Sequence, residues 1–215
     1  QRSRQTRKDQ SYVLYHLSQE QLSRLLLPVD GYTKDEVRAF AAEAGLPVQA
    51  KADSQDICFV PDGDYVSFLR QYGGVEPVPG DFLDSEGRVL GRHRGMECYT
   101  IGQRKGLGVS ANAPLYVLGK DPDRNAVILG EDNRLYTREL TAERVNWLSV
   151  PEPDRPLSVT AKTRYSQREA AATVEPLPGG RIRMVFTEPQ RAVTPGQAVV
   201  FYDGDLVLGG GTIYP

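Results

Sequence analysis

Cys58 is the residue whose type and surroundings best fit covalent chemistry in this sequence; it stands in DSQDICFV, after the polar stretch Ala52–Asp56 and before an apolar pair. A thiolate there could carry or exchange sulfur. On the residues alone it reads more readily as a small buried hydrophobe, the usual fate of an unpaired cysteine. Asp53 and Asp56 would raise a thiol pKa if ionised, so a reactive Cys58 needs a cation or a helix N-terminus; Lys51 is the only cation close in sequence. Cys98, in MECYTI, sits in a β-like run and reads as packing. The two cysteines form no C-x-x-C pair, neither His16 nor His93 has a partner at catalytic or zinc spacing, and no G-x-S-x-G occurs. No structural metal is expected.

Two other segments carry candidate binding chemistry. GQRKGLG, residues 102–108, sets three glycines around Arg104 and Lys105. It follows neither the P-loop nor the Rossmann order, so it reads as an anion cradle or as a glycine-rich turn with two solvated cations. KTRYSQR, residues 162–168, places Lys162, Arg164 and Arg168 around Tyr165. Cations contact phosphates and a tyrosine face stacks on a base, although a charged barrel surface would look the same.

Charge supports the second segment only when divided by region. The net charge of −2 excludes a globally basic nucleic-acid coat. Yet residues 1–8 carry Arg2, Arg4, Arg7 and Lys8 with no acid, and residues 155–197 hold seven bases against three acids. Residues 131–154 are acidic, with six acids and three bases. Two basic patches separated by acidic connectors allow a polyanion footprint.

The elements that must position these residues change character along the chain. Asp9 is expected to cap a short helix through Tyr12, Val13 and Leu17, and Ser18-x-x-Gln21 and Thr33-x-x-Glu36 are capping boxes. Behind the second box Val37, Phe40, Ala41 and Ala44 share a face, and Gly45 and Pro47 stop the helix. A third helix is expected over 62–72, capped by Asp62, with Tyr65, Phe68, Leu69 and Tyr72 on a buried stripe. From Gly80 the pattern alternates: one hairpin turns at Ser85–Gly87 and another at Asp121–Asn125. Beyond 140, LSVTAKT, AAATVEP, RIRMVF, QAVVFYD and LVLGGGTI read as short strands of a small antiparallel barrel, with Asp203-Gly204 as a hairpin turn. The class is α+β, with a helical start, a mixed middle and an all-β end. The boundaries fall near 60 and 131.

At 215 residues the length corresponds to one or two domains. No run of 18 apolar residues occurs, and low cysteine use with no signal segment leads to an expectation of a cytoplasmic protein and no membrane partner. The absence of an initiator Met before QRSRQTRKDQ raises the expectation of a piece of something longer.

KDQSYVLYHLSQEQL, DSQDICFV, YTIGQRKGLGV, KTRYSQ and VTPGQAVVFYDGDLVLGGGTI, in that order and spacing, resemble the tRNA-specific 2-thiouridylases of the bacterial and mitochondrial type. The resemblance runs from about residue 7 to residue 213. It implies ATP-dependent 2-thiolation of the wobble uridine, position 34, of certain tRNAs. It divides the chain into a helical remnant of an α/β nucleotide-hydrolase-like domain (1–59), a small mixed central domain (60–130) and a C-terminal antiparallel β-barrel that binds tRNA (131–215). The family's Ser-Gly-Gly-x-Asp-Ser loop and its first catalytic cysteine have no counterpart here, so ATP with magnesium is implied for the full-length enzyme and not for this chain.

On the same resemblance Cys58 is the second catalytic cysteine, carrying the transferred sulfur as a persulfide supplied by a sulfur-carrier protein. ATP turns the uridine C2 oxygen into an adenylated leaving group. The persulfide then supplies sulfur at C2, directly or after release by the first cysteine, and a disulfide between the two cysteines is left for a reductant. Contacts to the tRNA anticodon arm carry over at Lys8, Asp9, Gln10, Arg164, Tyr165 and Gln197. Two other functions compete: a non-catalytic RNA-binding barrel with a structural cysteine, and a redox-sensing thiol protein.

Overall fold

The computed structural model describes residues 10–47, 60 and 64–214. The chain divides into two compact units, one made of Gln1–Lys51 with Thr137–Pro215, the other of Ala52–Tyr136.

The first unit begins with a 3-10 helix, Ser11–His16, for which Gln10 stands at the cap position without a side-chain bond. Asp9, the expected cap, lies outside the described residues. Both capping boxes form. Gln21 N–H donates to Ser18 Oγ at 3.2 Å at the start of α1 (Gln19–Arg24), and Ser18 N–H donates to Gln21 Oε1 at 2.8 Å. Thr33 and Glu36 exchange the same pair of bonds at the start of α2 (Lys34–Glu43). Bonds from the Thr33 backbone and hydroxyl hold the Glu36 carboxyl below its ordinary range. Gly45, at φ 68°, closes α2 in the left-handed conformation a helix C-terminus favours. The apolar stripe of α2 folds as a helix, yet no residue on it is buried, and Phe40 instead meets Tyr32 edge-on at 5.0 Å.

The rest of this unit is a closed antiparallel six-stranded barrel. Its strands are Tyr136–Trp147, Leu157–Lys162, Ala170–Leu177, Arg181–Arg191, Ala198–Asp203 and Leu206–Tyr214, called β5 to β10 because four strands precede them in the second unit. They close in the order β10-β5-β8-β7-β6-β9. Period-two alternation drives Ile182, Met184 and Phe186 of β8, and Ala172 and Val174 of β7, into one core. All five strands expected beyond 140 are present. The sixth, β5, departs from expectation, because its alternation is broken by Arg144 at φ 52° and by a register shift opposite Gly210 and Thr212. The last hairpin also turns one residue later than expected: Asp203 pairs with Leu206, so the two-residue turn is Gly204-Asp205, with Gly204 at φ 51°.

The second unit holds α3 (Tyr65–Gly73) and a mixed sheet of β1 (Gly80–Leu83), β2 (Val89–His93), β3 (Tyr116–Asp121) and β4 (Ala126–Gly130) in the order β2-β1-β4-β3. Two antiparallel hairpins join through a parallel β1–β4 pairing. The cap of α3 is Asp64, which accepts from Ser67 N–H at 3.1 Å, and not Asp62. The expected buried stripe is not buried either; Tyr72 is 69% exposed. Cys98 lies in a 3-10 helix, Met96–Cys98, and not in a strand; it is half-buried and packs on the core of Phe82, Tyr99 and Val127.

His93 is the polar centre of that core. Its Nδ1 accepts from Gly95 N–H at 3.1 Å, which leaves Nε2 to donate to the Asn125 carbonyl, also at 3.1 Å. The ring packs edge-on against Phe82 and Tyr99. Nε2 therefore ties the end of β2 to the β3–β4 turn, while Nδ1 fixes the chain just after β2. His93→Ala removes a buried ring and strands two backbone groups, so unfolding of the second unit is expected to become easier by about 3 kcal/mol. A denaturant melt checks this; a change under about 1 kcal/mol would reject the assigned role.

Candidate nucleic-acid interface

Two loops at one end of the barrel carry three of the expected contact residues, Arg164, Tyr165 and Gln197. Residues 163–169 join β6 to β7, and residues 192–197 join β8 to β9. Thr163 is almost fully buried and its hydroxyl donates to Gln167 Oε1 at 2.6 Å. Gln167 in turn donates from Nε2 to the Arg191 carbonyl at 3.3 Å, and its N–H donates to the Arg164 carbonyl at 3.2 Å. The first loop is thus tied to the end of β8.

Arg164 crosses to the second loop. Its Nη2 donates to the Ala192 carbonyl at 2.8 Å and to Thr194 Oγ1 at 3.0 Å. Thr194 Oγ1 also donates to the Ala192 carbonyl, at 2.9 Å. Ala192 sits at φ 54°, a left-handed conformation that costs a non-glycine residue about 1–2 kcal/mol. The surroundings hold it there with its carbonyl toward the guanidinium. Burial lowers the Arg164 pKa, the neighbouring Arg191 cation lowers it further, and Tyr12 opposes both. A guanidinium nevertheless keeps its charge in protein surroundings. The Arg191 charge is thus felt at Arg164, and the two cations belong to one positive region at this barrel end.

Tyr165, next in sequence, is 47% exposed. Its ring meets that of Tyr12 edge-on, with centroids 6.3 Å apart and planes at 71°. Tyr12 donates its hydroxyl to the Ala198 carbonyl at 2.7 Å. Burial, with help from Tyr15, pushes the Tyr12 phenol up to about 12 from 10.0. Because the folded pKa is raised, this bond's contribution is fully present below pH 10 and is lost as pH climbs toward about 12. Gln10 is exposed two residues before Tyr12. Gln197 precedes Ala198; its N–H donates to the Thr194 carbonyl at 3.2 Å, and its Oε1 is buried with no hydrogen bond among the described residues.

Of the expected site residues, Gln10, Arg164, Tyr165 and Gln197 are therefore placed around one barrel end. Lys8, Asp9 and Cys58 lie outside the described residues, as do Asp53 and Asp56. The other cations of the basic patch are not all available. Lys162 lies over the Tyr202 ring at 5.7 Å and 3.8 Å from Glu169, and Arg183 is held by Glu139 at 2.8 Å and Glu175 at 3.1 Å. The supporting residues Thr163, Gln167, Thr194 and Tyr12 stand inside segments singled out in the sequence but were not expected as site residues, because each acts through a fold-dependent contact.

The glycine-rich loop of the second unit is closed on itself. Thr100 N–H donates to Gln103 Oε1 at 3.0 Å, and Gln103 Nε2 donates to the Lys105 carbonyl at 2.9 Å. Arg104 is the one cation lining the adjoining cavity of about 470 Å³. Among the described residues no helix is long and apolar enough to cross a membrane.

Comparison with known proteins agrees with this architecture. Residues 137–213, which make the barrel, match the aminomethyltransferase beta-barrel domain; residues 66–131 match the tRNA methyl transferase PRC-barrel domain, and residues 1–62 the tRNA methyl transferase HUP domain. Together they define the class: an α+β chain whose three parts match, in order, the domains of one family and which ends in a β-barrel. The tRNA-specific 2-thiouridylase MnmA of Moorella thermoacetica is 55% identical over 212 residues, covering 99% of this chain and 59% of that protein. The protein of the same name from Acetivibrio thermocellus is 52% identical over 206 residues, covering 96% and 57%. This chain belongs to the tRNA-specific 2-thiouridylase family. It spans less than three fifths of the length of these relatives.

Proposed function

We propose that this chain contributes the RNA-gripping barrel and the sulfur-carrying cysteine of a cytoplasmic tRNA-uridine 2-sulfurtransferase. The observation that carries the reading is Arg164, tied by two bonds to the 192–197 loop, beside the Arg191 cation and the exposed ring of Tyr165. A phosphate is attracted to this positive region and a base stacks on the ring. With Lys8, Asp9, Gln10 and Gln197 these residues grip the anticodon arm from both sides. The wobble uridine leaves its stack, as base-modifying chemistry requires, to reach sulfur carried as a persulfide on Cys58. A sulfur-carrier protein loads that cysteine. On this reading the functional divisions fall at 1–59, 60–130 and 131–215. The relatives named as thiouridylases and the family descriptions naming tRNA methyl transferases share tRNA as the molecule acted on.

ATP does not fit the residues present. The Ser-Gly-Gly-x-Asp-Ser loop is missing from the sequence, and Gln103 closes the 102–108 loop on itself. No step through the nucleotide is assigned to this chain.

Arg164→Ala, in the whole protein, is expected to weaken binding of unmodified tRNA about tenfold and to lower the salt slope of log affinity by about one. Arg164→Lys recovers only part, because it keeps the charge without the planar fork that reaches Ala192 and Thr194. Filter binding across several salt concentrations reads both. An unchanged affinity and slope would overturn the interface.

A further inference from the structure

We infer that Tyr12 is a positioning residue that aligns the N-terminal half of the RNA surface with the barrel half; this rests on the RNA-binding reading above. Three parts of that surface meet at this one side chain. Gln10 lies two residues before it in the chain. The Tyr165 ring lies in an edge-type contact with it, the centroids 6.3 Å apart. Gln197 is reached through the carbonyl of the next residue, Ala198, which accepts the Tyr12 hydroxyl at 2.7 Å.

Tyr12 packs on the barrel cluster of Val200, Tyr202 and Val207, but attachment of the 3-10 helix Ser11–His16 to the barrel does not rest on Tyr12 alone. Asn146 Nδ2 donates to the Tyr15 carbonyl at 2.7 Å and to the Leu17 carbonyl at 2.9 Å, and Gln19 Nε2 donates to the Leu148 carbonyl at 2.5 Å. Tyr15 lies directly against Gly210. With docking secured by those groups, the Tyr12 hydroxyl serves to fix the tilt of its own ring. That ring supports Tyr165 from the side, in the edge-to-face geometry aromatic pairs favour. An edge contact covers at most one face of Tyr165, whose ring stays 47% exposed for a base. The phenol stays protonated well above neutrality, so the alignment is constant through the range in which RNA is handled.

The test uses the whole protein and an unmodified anticodon stem-loop RNA. Tyr12→Leu keeps bulk and removes both the edge and the hydroxyl. It is expected to weaken RNA binding about tenfold, the value of one base stack, while the unfolding midpoint of the barrel stays close to the parent's. Tyr12→Phe retains the edge and should bind within about threefold of the parent. In a double-mutant cycle Tyr165→Ala should cost far less on the Tyr12→Leu background than alone, because the two act as one unit. Should Tyr12→Leu lower the melting midpoint, Tyr12→Met replaces it in the same cycle, since methionine fills irregular space without an aromatic edge. Parent-like binding by the Leu or Met variant, or losses that simply add, overturns the role of Tyr12. If Tyr165→Ala and Arg164→Ala are themselves silent, the RNA surface fails instead, and the two failures are thereby told apart.

Discussion

Replacing Cys58 by serine in the whole protein is expected to abolish 2-thiolation of the wobble uridine, with a loss of about a thousandfold or more, and to leave tRNA affinity within about twofold of the parent. Serine keeps the size of the side chain but has no sulfur to take into an S–S bond, so it can neither accept a persulfide nor release one. Nucleoside mass spectrometry of tRNA from cells carrying the variant reads the first quantity and filter binding the second. The combination separates the three functions open at the level of residues. A bare RNA-binding barrel predicts unchanged thiolation, and a redox sensor predicts loss of oxidation response with thiolation intact. Normal thiolation by the serine variant would remove Cys58 from the chemistry.

Gly210→Ala is expected to disturb the barrel unit strongly. A Cβ at this position would come 2.6 Å from Tyr15 Cδ2, 2.7 Å from Tyr15 Cγ and 2.8 Å from the Val199 carbonyl oxygen. No real Cβ sits so close to an aromatic ring and a strand backbone at once. Tyr15 must leave its seat, and with it the 3-10 helix that carries Tyr12 behind Gln10. Overpacking of this kind costs about 3 kcal/mol. The melting midpoint should fall, and tRNA affinity should fall with it even for the fraction that remains folded. Gly119→Ala serves as the comparison: its Cβ meets nothing within 4 Å, and its effect should stay within about 0.5 kcal/mol. Equal melting curves for the two variants would show that Tyr15 is not seated as described.

What the sequence reveals here divides by the range of the interaction. Ser18 with Gln21 and Thr33 with Glu36 were legible because a capping box closes within four residues. The hairpin at Ser85–Gly87 was legible for the same reason: Asp84 accepts from the Glu86 and Arg88 amides and pairs with the Arg88 side chain. Strand β5 escaped notice because a bulge at Arg144 breaks the period-two signal by which a strand is recognised. The stripe of Tyr65, Phe68, Leu69 and Tyr72 gave the right helix and the wrong burial, since periodicity states that a face is apolar and not what covers it. At the site, Arg164 and Tyr165 stood out as a cation beside an aromatic. Tyr12 and Ala198 are 186 residues apart, Arg164 and Thr194 thirty, and no local pattern encodes either pair.

The docking of the first helix on the last strands sets an order of events during synthesis. Tyr12 and the rest of the Ser11–His16 helix are made early, whereas the carbonyl that receives the Tyr12 hydroxyl arrives 186 residues later and Gly210 later still. At the usual pace of about 5–20 residues per second this is a wait of roughly 10–40 s. Throughout that interval Tyr12 and Tyr15 have no barrel to lie on, and the six-residue helix is too short to persist alone. The surface proposed to bind RNA is therefore assembled only as β10 takes its place between β9 and β5, and on that reading a nascent chain is not expected to hold tRNA in this way before its barrel has closed.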